Sequence, residues 1–175
     1  MDFILAVSLL IFLLIIYFSY TANLSKNDAK VLNGMTNDIK LISSSLILGG
    51  YPSNWSDANV QRVGLTDNSQ RVVESKLVQF VNLSYIQRKN LFNTQYDYFI
   101  FFKDSDNCLI NLSGNFGIGH PDVRINEIDE IAECNGFAEE SVNLSDIQPK
   151  NIVRADRLLI YNSEIADMVV YLWQK

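Results

Sequence analysis

The chain has 175 residues, with 20 acidic against 14 basic side chains and a formal charge of −6. That is about one domain's worth of chain. The acidic balance argues against nucleic acid, and no such partner is expected, since phosphates call for clustered Lys and Arg.

Residues 3–20 hold no Gly, Pro or charge, and their only polar groups are Ser8, Ser19 and the hydroxyls of Tyr17 and Tyr20. About 18 to 20 such residues span a hydrocarbon core of roughly 30 Å. A cleaved secretory signal would carry basic residues ahead of a shorter apolar run and end in a small-residue cleavage site. Here the first basic residue is Lys26, so the segment is expected to be retained.

Beyond it, Leu24, Val31, Met35, Ile39, Ile42 and Leu46 recur at helical spacing, with Lys26, Lys30, Asn33, Asn37 and Lys40 turned away. This is the one-sided apolar stripe of an amphipathic helix. Gly49, Gly50 and Pro52 should stop it. The expected division is therefore a long helix over 1–48, apolar over 1–20 and amphipathic over 21–48, followed by a domain over 49–175. At 1.5 Å per residue such a helix runs about 70 Å. No domain of this size needs that length internally, so the apolar part must meet lipid or copies of itself.

The remainder reads as α+β with a small, β-rich antiparallel head. A turn-rich loop over 51–68 leads to a short helix over 75–81. Ser84 with Gln87 has the form of a capping box that opens another helix through Leu91. Residues 96–103 are aromatic and β-branched in the strand manner, and Asp104 to Asn107 make a turn into a second strand over 108–112. Gly114, Gly117, Gly119 and Pro121 then mark a loop, and an acidic stretch over 127–133 leads into Cys134. The clearest β signal is a closing hairpin, 152–161 and 165–173 about a turn at Asn162 and Ser163. Met168, Val170 and Leu172 alternate there with Val169, Tyr171 and Trp173, so both faces of the last strand should be covered.

Cys108 and Cys134 lie in the part expected outside the membrane, where an even count favours a disulfide. Two thiols that never meet remain the alternative. Five Asn-x-Ser sequons, at Asn23, Asn54, Asn82, Asn111 and Asn143, exceed the roughly two that 18 Asn and 20 Ser plus Thr give by chance. They suit a glycosylated exported surface, although Asn and Ser also serve turns and caps.

Catalytic signals are sparse. His120 is the only histidine and sits in a turn-like Gly-Ile-Gly-His-Pro-Asp, so a Ser/His/Asp arrangement would rest wholly on tertiary placement. Gly117 and Gly119 lack the rest of a dinucleotide loop. Asp104, Asp106 and Asn107 lack the glycine and distal Glu of a calcium loop and read as a hairpin turn. Neither an enzyme activity, a cofactor, a metal nor a small-molecule substrate is expected.

Asp2 places a carboxylate at the start of the apolar helix, where the helix dipole favours an anion. The run Met1-Asp-Phe-Ile-Leu-Ala-Val-Ser-Leu-Leu, heading a long helix and a β-rich domain, resembles archaeal type IV pilin-like proteins. The resemblance implies that apolar helices leave the membrane and bundle into a filament core with heads outside. Phe3, Leu10, Phe12 and Ile16 would then pack that core. Asp2 would neutralise the terminal amine of a subunit already in the fibre, although the family's acid is usually a Glu a few residues further on. The expected function is a homo-oligomeric filament subunit at the cell surface, membrane-inserted before assembly. The alternative is a singly anchored surface protein or a minor pilin outside the fibre body.

Overall fold

The computed structural model describes residues 2–67, 69–125, 134 and 137–174, and the side chains of Asp2 and Asn23 fall outside that description. So does the acidic stretch over 127–133. Helix α1 (Asp2–Leu46) is continuous through 45 residues. It ends two residues before the sequence pattern suggested, in a turn before Gly49.

The chain forms two compact units, Met1–Gly34 and Met35–Lys175. The division thus falls inside α1, where a boundary drawn at the helix end would place it at 48/49. The physical reason lies in the stripe itself. Met35, Ile39, Ile42 and Leu46 are buried in the second unit, whereas Asn33, Asn37 and Lys40 remain exposed.

Within the second unit the end of α1 is tied down by the segment that follows. Leu65 N–H donates to Leu46 O at 2.8 Å and Thr66 N–H to Leu48 O at 3.2 Å, while Lys76 Nζ reaches Gly49 O at 2.7 Å. The first satisfies a last-turn carbonyl that a helix C-terminus leaves without a partner, and the other two hold the residues just beyond it. Gly50, with φ of 73°, turns the chain beneath buried Trp55, whose indole N–H donates to Gly64 O at 2.9 Å.

Helices α2 (Glu74–Asn82) and α3 (Tyr85–Phe92) follow, and Ser84 forms the complete capping box with Gln87 that the sequence predicts. Strand β1 (Asp97–Lys103) lies in a four-stranded antiparallel sheet with β2 (Ile118–Gly119), β5 (Asn151–Tyr161) and β6 (Glu164–Gln174), in the order β2-β1-β6-β5. Strands β3 (Arg124–Ile125) and β4 (Val142–Asn143) make a separate antiparallel pair.

The closing hairpin forms as expected. Asn162 and Ser163 both take positive φ, 49° and 72°, which matches the twist of the flanking strands. Strand β6 is central and covered on both faces. Phe99, Phe101, Val169 and Trp173 form a cluster on one side. On the other, Leu172 and Val170 pair with Val153 and Ala155 of β5, which line a hollow with Ile39 of α1.

The second strand expected over 108–112 forms only in part. Its residues make single bridges, Lys103 to Leu109, Cys108 to Ala138 and Leu112 to Asn115, and Ile110 N–H donates to Phe102 O at 2.8 Å. Further along the same edge β1 pairs instead with Ile118–Gly119, with Phe99 opposite Gly119. Gly119 permits this because a Cβ there would run into the backbone of Tyr98 and Phe99.

Candidate functional site

The apolar start of α1 is the most distinctive surface. The large apolar side chains of residues 3–20 are between 39 % and 81 % exposed. Phe3–Thr21 has a mean hydropathy of 2.6 and is long and apolar enough to cross a membrane. Two of its hydroxyls are satisfied within the helix: Ser8 Oγ donates to Ile4 O at 2.8 Å and Thr21 Oγ1 to Tyr17 O at 3.0 Å. Bonding back to the preceding turn removes the cost of taking these groups out of water.

Phe3, Leu10, Phe12 and Ile16 are all at least half exposed. The helix does not gather them on one stripe. At 100° per residue Phe3 and Leu10 share a face, and Phe12 and Ile16 lie roughly opposite. The surface is therefore apolar all round, as suits lipid or several neighbours better than one partner helix.

Cys108 and Cys134 are joined in a disulfide with their Cα atoms 5.4 Å apart. Asn54, Asn82 and Asn111 are exposed and Asn143 is half-buried. The Asn111 side-chain oxygen accepts from Gly114 N–H at 2.6 Å, and that of Asn143 from Ser145 N–H at 2.8 Å. Both sequons thus double as turns, and neither turn uses the amide nitrogen to which a sugar attaches.

Tertiary packing also assembles two polar clusters that sequence reading missed. Asp97 accepts from Tyr85 Oη and from Lys89 Nζ, both at 2.6 Å, with His120 Nε2 3.9 Å from its second oxygen. His120 is buried against the rings of Tyr85 and Trp173. Burial pushes the Asp97 carboxyl up, but the bonds from Lys89 and Tyr85 outweigh it and hold the group below the ordinary carboxylate value. Burial first, and Asp97 second, push the Tyr85 hydroxyl well above its usual value. An ionised acid with committed donors and a tyrosine fixed as a donor tie α3 to β1; the arrangement activates no nucleophile.

In the second cluster Lys103 Nζ lies 2.6 Å from Glu139, whose other oxygen takes Arg154. Burial raises the Glu139 carboxyl, and Lys103 and Arg154 more than reverse it. Arg154 also stands over the Tyr171 ring, 5.6 Å from its centre. The only advance signal for either cluster was its residue types, since each joins segments far apart in sequence.

The Asp104 turn is likewise committed to the backbone: one carboxylate oxygen accepts from the N–H groups of Asp106 and Cys108, both at 2.9 Å. Asn107, at φ 63°, accepts from Lys103 Nζ at 2.7 Å. Among the described residues no group of three or more His, Cys, Asp or Glu side chains is placed to hold a metal. Gly117 and Gly119 serve packing against Phe99. No protein-family model, curated protein or solved structure matches this chain.

Proposed function

We propose that the protein is a structural subunit of an extracellular, type IV pilus-like filament, assembling through the first half of α1 and displaying the α+β unit. The observation that carries this reading is the apolar surface of residues 3–20, exposed on every side of a helix that continues into the second unit. Such a surface is unstable in water. At roughly 25 cal/mol per Å² of apolar area, it must be covered by lipid before assembly and by neighbouring helices afterwards. The disulfide is in keeping with an oxidising location, and the filament chemistry asks for no cofactor.

Shearing cells that express the chain and imaging the supernatant by negative-stain electron microscopy tests the reading. Thin fibres that contain the chain by mass spectrometry support it. Chain found only in the membrane fraction overturns it in favour of a singly anchored surface protein. If Asp2 guides docking, Asp2→Ala abolishes the fibres while the second unit still folds; fibres of normal length from that variant would remove Asp2 from the assembly step.

A further inference from the structure

Arg88 lies in the middle of α3 and is only 8 % exposed. A buried guanidinium normally has a carboxylate beside it, because taking the charge out of water costs several kcal/mol. The other buried cation, Lys103, follows that rule through Glu139. Arg88 does not. Its Nη1 donates to Phe80 O at 3.2 Å and reaches Val81 O at 3.5 Å, at the carbonyl end of α2, and its guanidinium stands 5.4 Å from the centre of the Phe80 ring.

The end of a helix dipole and an aromatic face offset part of the charge. They leave Nε buried with no acceptor, and no carboxylate forms an ion pair with Arg88 among the described residues. The buried Tyr98 hydroxyl lies beside the guanidinium and shares its N–H donors; being neutral, it does not offset the charge. Asp97, the acid that α3 does engage, is committed to Lys89 and Tyr85.

Arg88 forms part of the wall of a cleft of about 270 Å³, completed by Val81, Phe99, Asn115, residues 117–121 and Val123. None of the described lining residues is acidic. With liquid water taking about 30 Å³ per molecule, the space suits an anion of several heavy atoms. A carboxylate there would accept from the guanidinium N–H groups that α2 and Tyr98 leave over, in the strong charge-assisted geometry that arginine favours. Gly117 and Gly119, bare because a Cβ would strike Phe99, bring the loop backbone close to the same space.

We propose that this cleft is a binding site for a small carboxylic acid, with Arg88 as its anchoring cation and Asn115 at its mouth. The site is independent of filament assembly, and it stands or falls separately from that reading.

The test is NMR of the ¹⁵N-labelled full-length chain in detergent micelles, titrated with sodium acetate and, at matched ionic strength, with sodium chloride. Acetate should give saturable shifts centred on the amides of Gly117, Gly119 and His120 and on Arg88 Nε–H, with a Kd on the order of 1 mM for so small a ligand. Arg88→Met should abolish saturation. Should that variant fail to fold, Asn115→Asp, at an exposed position, sets a like charge at the mouth and should weaken acetate about threefold to tenfold. Shifts that rise linearly and equally with acetate and chloride overturn the proposal, as does saturation that survives both substitutions unchanged.

Discussion

Residues 3–20 and 35–46 belong to one helix, yet their apolar side chains meet opposite surroundings. In the first stretch the large apolar groups are exposed on all sides; in the second, Met35, Ile39, Ile42 and Leu46 are sealed in the core of the unit they help build. The difference follows from pattern rather than from degree of hydrophobicity. A stripe with polar residues behind it can be covered by the chain's own sheet. A helix apolar all round has no polar face to turn to water, the pattern of a segment long and apolar enough to cross a membrane. One end of the helix thus builds the core of the second unit, and the other presents apolar side chains on every side.

The comparison can be broken by substitutions at the two ends. Ile42→Ala removes a fully buried side chain and should cost about 4 kcal/mol, read as a lower midpoint in chemical unfolding of the second unit. Leu10→Lys should leave that midpoint unchanged while adding about 3 kcal/mol to membrane insertion. It is read by carbonate extraction and by loss of fibres. If Leu10→Lys destabilised the second unit as much as Ile42→Ala, the division of labour along α1 would be wrong.

Loss of the disulfide tests the second unit alone. Replacing Cys108 and Cys134 together by Ser, which frees a segment with a sequence separation of 26, should cost about 3 kcal/mol in the chain-entropy account. The same pair reduced in the native protein should change non-reducing gel mobility and leave membrane partition of residues 3–20 unaffected.

Acid should act on the second unit only. Asp97 and Glu139 are held below their ordinary carboxylate values in the folded state, so the stability they contribute is fully present above the unfolded values of about 4. It is lost as pH falls through the folded values. Thermal stability should decline as pH falls below about 4. Asp97→Asn with Glu139→Gln should flatten that decline; an unchanged slope would assign acid lability to other groups. The smallest effect is expected at Ser84, where Ala removes one half of the capping box and should cost about 1 kcal/mol.

Legibility in the sequence varied with the range of the interaction. The capping box at Ser84 and the turn at Asn162 and Ser163 were readable because each is made within a few residues. The pairing of β1 was readable only in part. The turn after Lys103 does bring Leu109 and Ile110 back against Lys103 and Phe102, but at Phe99 and Ile100 the same edge goes to Ile118–Gly119, with β6 on the other. Choice among strand partners is decided by packing and close approach, here at Gly119, which no local signal encodes.

The sequence by itself determined the membrane-length apolar span, the apolar stripe that ends at Leu46, the α+β class and the closing hairpin, because periodicity and turn chemistry are local properties; that the buried part of the stripe begins at Met35 came from the tertiary structure. Only the tertiary structure decided that Cys108 meets Cys134, that Asp97 gathers Tyr85, Lys89 and His120, and that Arg88 is buried without an acid beside a cleft. These are juxtapositions of distant segments. Their energies depend on burial and charge pairing, which exist only once the core around β6 has formed.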